Sequence, residues 1–407
     1  MNFILKLAIR NVFRNTRRSI LTGASIMFSV AILIFAWSFI EGTVKDMSDA
    51  YIRFQSGHVR VLTKEFARRE KMFPLQYSIA DYRAVQRQIA ATPGIKTVTG
   101  RLKFGVLLDY AGNTKQTLGM GIEPAAEESI LELNKNIVQG RVIRAGTDEV
   151  NIGVNMAKDL KLKLGDILTV VTQTAYGSLS AKNFTVVGIF NFSSPTIDRK
   201  VFLIPIESAQ YLLELPGSAS EIFIITEKAD AARRVASMIA ATLGPGYKVT
   251  AWQDQSSIYM FLVLIKYLYL IILILIVLLS AFTILNTMFM TVLERTREIG
   301  MMKALGMTNR QLIIMVLLEA LVLGALASVI GMFLGAALSY YMSIYGLDVT
   351  ASVEKMDFPT FTVYYCDFSW TYVFSGFVVG MACAVLAAVF PALRAAKLEP
   401  TEALHEI

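Results

Sequence analysis

The chain alternates between long stretches almost free of charge and stretches with the mixed polarity of a water-soluble domain. Four apolar runs stand out, from Ile20 to Ile40, Ile258 to Leu293, Leu312 to Tyr341 and Tyr372 to Phe390. A bilayer core needs about 20 apolar residues, so each run predicts a transmembrane helix. The second is about 36 residues long, roughly 54 Å as helix at 1.5 Å per residue. Tilt absorbs only part of that excess, so this helix is expected to project beyond one face of the membrane. Past the first run, Ile40, Val44, Met47, Tyr51 and Phe54 follow steps of four, three, four and three, flanked by Glu41, Lys45 and Asp46. This heptad seam predicts a stalk that continues the first helix and packs on the overlong start of the second.

Residues 55–255 have a different texture. YRAVQRQIAATPGIKTVTGR reads as a helix, a turn at Pro93-Gly94 and a strand, and ADAARRVASMIAATLGPGYKVTAW repeats the plan with its turn at Gly244-Pro245-Gly246. The repetition predicts a pseudo-symmetric α/β unit assembled from both ends of the domain. Between the copies, LKFGVLLDY and KQTLGMGI flank Ala111-Gly112-Asn113, while DILTVVT and NFTVVGIF enclose a polar loop from Gln173 to Lys182. These alternating, β-branched runs read as strands. No convergent set of acid, base and nucleophile is visible among them. The expected fold class is an α-helical membrane protein with four transmembrane helices plus a large mixed α/β domain inserted between helices 1 and 2.

Composition supports this reading and charge adds an orientation. The mean hydropathy is +0.53 and 55% of the 407 residues are hydrophobic, well above a soluble domain. The first run could belong to a secretory signal, but it is longer than a usual signal core and ends in AWSFIEG without an A-x-A site, which favours a retained span. The net charge of +7 is concentrated in particular loops. In residues 2–18, Lys6, Arg10, Arg14 and Arg17 share one helical arc opposite Leu5, Ile9 and Val12, the pattern of a helix lying at the membrane surface. The loop after the second span carries Arg295, Arg297, Lys303 and Arg310, whereas that between the third and fourth carries Asp348, Glu354, Asp357 and Asp367 against Lys355. The positive-inside rule then places both termini and residues 294–311 in the cytoplasm and the large domain outside. The charge is thereby explained without a nucleic-acid partner. Two cysteines and two distant histidines, His58 and His405, predict neither a disulfide framework nor a metal site, and no phosphate-binding loop of the G-x-x-x-x-G-K-[ST] type occurs. If ATP drives this protein, another chain binds it.

The expected order is an amphipathic cytoplasmic-interface helix (1–18), first span and stalk (19–54), external α/β domain (55–255), and stalk and second span (256–293). A charged cytoplasmic segment (294–311), third span (312–341), external loop (342–371), fourth span (372–390) and cytoplasmic tail (391–407) complete it. Small residues recur every three or four positions at Gly324, Ser328, Gly331 and Gly335 in the third span and at Gly376, Gly380, Ala384 and Ala388 in the fourth. They predict close helix packing, within one chain or across a dimer. Glu319 is an acid within the third span; at that depth it calls for a structural partner or an interfacial role. Lys266 is expected in the stalk, with its ammonium in water.

The segment Glu294-Arg-Thr-Arg-Glu-Ile-Gly-Met-Met-Lys-Ala-Leu-Gly-Met-Thr308, between the second and third spans, resembles that of the MacB/FtsX-type (type VII) permeases of ABC transporters. Phe390-Pro391-Ala392-Leu393-Arg394-Ala395-Ala396 and Glu399-Pro400-Thr401-Glu402-Ala403-Leu404 are similar to that family's C-terminal ending. Ser56-Gly57-His58-Val59 and Asn183-Phe184-Thr185-Val186-Val187-Gly188 resemble the lipoprotein-releasing (Lol) permeases. The resemblance implies a non-catalytic permease subunit in a bacterial inner membrane, multi-pass, with ATP and Mg²⁺ on a cytoplasmic ABC ATPase dimer and a second permease, identical or related, beside it. It also implies mechanotransmission, with Glu294, Arg295, Arg297, Glu298, Gly300, Met301, Met302, Lys303, Leu305 and Gly306 forming the element that couples to the ATPase. Gly300 and Gly306 would permit tight turns, and Met301, Met302 and Leu305 would supply an apolar contact.

For a Lol-type permease, the substrate is a lipoprotein released from the outer leaflet, handed to a periplasmic chaperone through a proline-containing hook. The 173–182 loop lies in the corresponding place but has no proline. A lipid-anchored substrate needs an apolar cavity opening sideways. Phe35, Trp37, Phe39 and Ile40, facing Phe261, Leu262, Ile265 and Leu268, are the candidate lining; each acyl CH₂ buried there would contribute about 0.8 kcal/mol. Two other outcomes fit the same architecture: a MacB-like exporter of periplasmic peptides or small molecules, and an FtsX-like signalling subunit that activates a periplasmic hydrolase.

Overall fold

The computed structural model describes residues 2–14, 16–110, 112–350 and 362–397. The acidic positions Glu354 and Asp357, and the ending Glu399 to Leu404, lie outside them. Two compact units form: one from Met1–Asp46, Val263–Leu347 and Tyr364–Ile407, the other from Met47–Leu262 and Asp348–Val363.

The first unit is helical. Four helices are long and apolar enough to cross a membrane. The first span runs Thr16–Tyr51, the second Ser256–Glu294, the third Asn309–Tyr345 and the fourth Trp370–Ala396. The third begins three residues before the expected Leu312. Thr308 caps it by accepting from the Gln311 amide at 3.3 Å, and Gln311 Oε1 accepts from the Thr308 amide at 2.9 Å. This reciprocal capping box was readable as T-x-x-Q.

The small-residue stripes are consumed inside the chain. A Cβ on Gly324 would lie 2.7 Å from Ala384 Cβ, one on Gly331 2.5 Å from the Met27 carbonyl, and one on Gly335 2.9 Å from the Ala31 carbonyl. Gly376 and Gly380 press equally hard on Ile34 and Val30. The third span therefore meets the backbone of the first, and the fourth closes on side chains of the first and packs Ala384 against Gly324 of the third, as small residues permit in lipid. At Gly42 the first helix is crossed directly by the backbone of Tyr365–Asp367. Ser38 Oγ donates to the Asp367 carbonyl at 2.9 Å, and the Asp367 amide donates to the Ser38 carbonyl at 3.0 Å.

The N-terminal helix, Asn2–Arg14, packs against the third span. Its buried residues are Ala8, Asn11 and Val12, whereas Ile9 and Phe13 are exposed beside Lys6 and Arg10. Of the apolar side expected here, Val12 is thus buried and Ile9 exposed, while the Leu5 side chain lies outside the described residues.

The second unit contains ten strands: β1 (Val59–Thr63), β2 (Ile95–Tyr110), β3 (Asn113–Ile122), β4 (Ile137–Gly140), β5 (Glu149–Gly153), β6 (Ile167–Gln173), β7 (Leu179–Phe190), β8 (Val201–Pro205), β9 (Glu221–Thr226) and β10 (Tyr247–Ala251). The order β10-β1-β9-β2 is antiparallel throughout. With helices Tyr82–Ala90 and Ala232–Leu243 it makes two strand–helix–strand units in a split βαβ arrangement. This is the pseudo-symmetric unit built from both ends of the domain, and its turn glycines Gly94 and Gly244 have φ of 86° and 75°.

β2 then continues into a second group, where β2-β3-β8-β5-β7-β6 close back on β2. The closed ring buries Phe104, Val106, Leu108, Ile152, Val170 and Phe184, and closure leaves these six strands no free edge. The Gln173–Lys182 loop is shorter than expected. The ladder of β6 with β7 extends to Gln173 opposite Leu179, leaving residues 174–178 as the turn.

One buried ion pair holds the start of this unit. The first helix ends in a π-helical turn, Ile52–Ser56, where backbone carbonyls lack helical partners. Arg101, fully buried, donates to the Arg53 carbonyl at 2.8 Å and the Phe54 carbonyl at 3.2 Å. It also makes a two-point pair with Glu127, Nε to Oε1 at 2.6 Å and the terminal nitrogen to Oε2 at 2.8 Å, while stacking 3.5 Å over the Phe223 ring. Lys103 Nζ reaches the Phe54 carbonyl at 3.2 Å and Glu221 at 2.7 Å. Cations at a helix C-terminus complement its dipole.

Replacing one partner of such a pair strands a buried charge, at a cost of about 3–5 kcal/mol. Arg101→Met should therefore destabilise the second unit by that order in urea unfolding of the purified chain. Arg101→Met with Glu127→Leu should recover part of the loss, the remainder reflecting the uncapped Arg53 and Phe54 carbonyls. No loss in the single variant would contradict the assignment.

Candidate functional site

The segment between the second and third spans folds around a short helix, Thr296–Ala304. Arg295 interrupts the preceding helix with φ −103° and ψ 15°. At the far end Gly306 takes φ 96°, its amide bonds the Lys303 carbonyl at 3.0 Å, and the Met307 amide bonds the Met302 carbonyl at 3.0 Å. This is a Schellman ending, which requires a left-handed residue at the position of Gly306. Gly300 lies mid-helix and buried, without positive φ. The tight turn expected there does not form, and the position lies within the helix.

The helix has distinct faces. Ile299, with Met302 partly buried beside it, packs on Val292, Leu312, Met315 and Val316 and on Ala392, Ala395 and Ala396 of the fourth span. Lys303 Nζ donates to the Ala396 carbonyl at 2.9 Å, where a cation meets the end of that helix dipole. The loop motif and the Phe390–Ala396 motif are thus two sides of one contact. Outward, Met301 is 53% and Leu305 89% exposed, with Arg297 exposed one turn before Met301. Met302 faces inward, so the apolar surface offered to water is narrower than the sequence suggested.

Charge fixes how this helix leaves the second span. Arg295 is 8% exposed and donates to both Glu319 oxygens at 3.2 Å; Glu319, also 8% exposed, sits in the third span. Arg295 Nε also bonds Glu298 Oε2 at 3.0 Å, and Arg14 of the N-terminal helix pairs with Glu298 Oε1. Burial pushes the Glu298 carboxyl up, but the two guanidiniums outweigh it and hold it below the usual carboxylate range. Arg295 was expected to belong to the coupling surface; it instead points into the protein as the partner that Glu319 called for. Glu294 and Arg297 stay exposed.

The stalk residues divide along the helix. Ile40 is buried, Tyr51 donates to Gln255 Oε1 at 2.6 Å, and Phe54 meets Phe192 edge-on at 4.8 Å; Val44 and Met47 are half-buried. Lys266 keeps its side chain exposed, as expected, and also pairs with Glu41 at 3.0 Å.

Of the residues proposed to line a cavity, Phe35 stacks on Phe39, Trp37 stacks on Tyr372 at 5.9 Å, and Phe39 packs on Tyr364. Trp37 and Phe39 thus turn toward the fourth span and the strap before it. Leu262 is buried, Ile265 half-buried, and Phe261 and Leu268 exposed. The pocket between the first, second and fourth spans has a volume of about 20 Å³, lined by Val30, Ile284 and Cys383 among others, and none of the eight candidate residues lines it. It holds about one water, far short of an acyl chain. In the second unit, the β6–β7 turn exposes Tyr176 and, beside it, Leu179. Thr174, Ala175 and Gly177 of the same turn line a groove of about 450 Å³ against residues 69–76.

Comparison with known proteins agrees with this architecture. Residues 19–242 match the MacB-like periplasmic core domain and residues 270–400 the FtsX-like permease C-terminal domain. The chain is 25% identical to the lipoprotein-releasing system transmembrane protein LolC of Xylella fastidiosa, over 96% of this chain and 95% of that one. It is 22% identical to LolE of Haemophilus influenzae, over 94% and 93%. With the macrolide export ATP-binding/permease protein MacB of Chlorobium luteolum it shares 24% identity over 98% of its own length and 59% of the relative's. With one profile spanning more than half of its length, this chain belongs to the MacB/FtsX-type family of ABC transporter permeases.

Proposed function

We propose that this chain is the non-catalytic transmembrane subunit of an ABC transporter that works by mechanotransmission and releases lipoproteins from the outer leaflet of the inner membrane. The observation that carries the mechanical part is the two-faced helix Thr296–Ala304. Its inner face is locked to the third and fourth spans, and Met301 and Leu305 stand outward for a partner. A cytoplasmic ABC ATPase dimer, which holds ATP and Mg²⁺, grips that outer face. Its closure moves the spans as packed rods, with the glycine contacts between the first, third and fourth helices keeping them together. Both termini lie in the cytoplasm and the second unit in the periplasm, in keeping with exposed Lys6, Arg10, Arg297 and Arg310.

Lipoprotein as the substrate is supported by the likeness to LolC along the full length of both chains. The lateral entry lies beside Ile265, Leu268 and Phe261, and the cavity is completed by a second permease. The exposed Tyr176 and Leu179 offer a periplasmic chaperone an apolar foothold. Export in the manner of MacB is the second reading, supported by a likeness of similar strength across 98% of this chain.

Two experiments test these points. A maleimide that cannot cross the membrane should label Leu305→Cys only when the cytoplasmic face is opened. Met301→Asp combined with Leu305→Asp should cut co-purification of the ATPase more than tenfold while membrane insertion persists. Labelling from the periplasm, or full ATPase recovery with the double variant, would overturn this placement of the grip. For the substrate, a photocrosslinker at Ile265 should capture lipidated protein before ATP is added and lose it afterwards. Capture of unlipidated peptides would favour the exporter, and capture of lipid alone, with or without ATP, would favour a signalling subunit.

A further inference from the structure

The N-terminal helix, Asn2–Arg14, is docked by one face and bare on the other. Ala8, Asn11 and Val12 are buried, Leu7 packs against the cluster that holds Ile299 and Leu312, and Arg14 pairs with Glu298. At 100° per residue, Lys6, Ile9, Arg10 and Phe13 fall within an arc of about 100° on the opposite side. All four are exposed. In sequence the cations and Ile9 read as opposite faces; in the structure two cations and two apolar residues share a single stripe.

Neither water nor hydrocarbon suits such a stripe. Lys6 and Arg10 make no ion pair or hydrogen bond among the described residues. They stand about one turn apart, where like charges repel. Glu298, the acid this helix does reach, is already shared by Arg14 and Arg295. Phe13, 62% exposed, and Ile9 are costly to leave in water, whereas hydrocarbon would strip the two cations of their solvation. The layer where headgroup phosphates meet acyl chains satisfies both, since long basic side chains reach up to the phosphates while apolar ones sit below. The stripe also leads directly to a surface that lipid covers. Ser19 Oγ donates to the Val12 carbonyl at 2.6 Å, and just beyond it Ile20 and Leu21 are exposed on a helix long and apolar enough to cross a membrane.

We propose that Lys6, Ile9, Arg10 and Phe13 form a binding site for an anionic phospholipid, with the headgroup phosphate between Lys6 and Arg10 and the acyl chains along Ile9 and Phe13. A phosphate placed there removes the repulsion of the two cations and takes charge-assisted hydrogen bonds from both, two of them in parallel from the guanidinium. A zwitterionic lipid carries its own ammonium group, which competes with Lys6 and Arg10 for that phosphate, so the site selects for net negative charge. Its four residues are held in place from behind by the buried face and by Arg14, which spares the lipid the cost of ordering them. The site goes beyond the proposed function and requires only that the chain spans a membrane, whatever its substrate.

The test uses the full chain with its ATPase in a neutral detergent, titrated with short-chain phosphatidylglycerol or phosphatidylcholine and followed by native mass spectrometry. Phosphatidylglycerol should bind more tightly than phosphatidylcholine. Lys6→Gln with Arg10→Gln should raise its dissociation constant by about tenfold or more, and Phe13→Ser should raise it as well. All three side chains are exposed, so the buried face stays intact. Inorganic phosphate at matched concentration should not displace the lipid, and the ATPase should co-purify with the double variant as before. Equal binding of the two lipids, an unchanged constant in the double variant or in Phe13→Ser, or displacement by inorganic phosphate would overturn the site. Loss of the ATPase from the double variant would also overturn it, by assigning the stripe to that partner. Failure of lipid binding alone, with the ATPase retained, leaves the mechanotransmission reading standing.

Discussion

A carboxylate below the membrane surface must be neutralised, and Glu319 has Arg295 for that purpose. Bilayer and protein interior alike make a lone charge costly there. Satisfying it pulls Arg295 inward at the point where the second span ends, so the helix cannot continue straight. The chain turns at Arg295, and that turn sends Ile299 toward the spans and leaves Met301 and Leu305 exposed on the other side. Glu298 and Arg14 extend the network to the N-terminal helix. One pairing thereby ties three segments distant in sequence to the element an ATPase would grip.

Much of this was legible beforehand. Hydropathy alone located the four spans, because twenty apolar residues in sequence have few alternatives to crossing a membrane. The repeated helix–turn–strand plan located the split βαβ unit, because its turns depend on local glycine chemistry. Residues with a long-range partner were misread. Arg295 looks like a solvated loop cation until the third span brings Glu319 beside it, and no periodic signal marks a pair 24 residues apart. Closure of the six-stranded ring was hidden for a related reason: the parallel pairings of β3 with β8 and β5 with β7 join strands far apart in the chain. The outer end of the β6–β7 ladder, Gln173 and Leu179 to Lys182, was taken for loop because it alternates polar residues with apolar ones that water reaches, as at Leu179. The glycine stripes announced close packing, but only coordinates could show that the packing is within one chain.

That last point shapes the mechanical picture. The first and third spans meet through backbone at Gly331 and Gly335, and Gly376 and Gly380 seat Ile34 and Val30 of the first against the fourth, packed interfaces of a kind that resist deformation. At the other end of the first helix, Arg101 and Lys103 grip the Arg53 and Phe54 carbonyls. The C-terminal end of the first helix is thus held by a buried, charge-assisted anchor.

The Arg295–Glu319 pair holds the Thr296–Ala304 helix in place. The most direct measurement is hydrogen exchange of that helix's backbone amides in the purified full chain, for Arg295→Met, Glu319→Leu and the two together. Either single substitution leaves a buried charge alone and should speed exchange there more than tenfold, whereas the double variant should restore protection close to the original. Unchanged protection in both single variants, or a double variant as loose as their combined effects, would contradict the account.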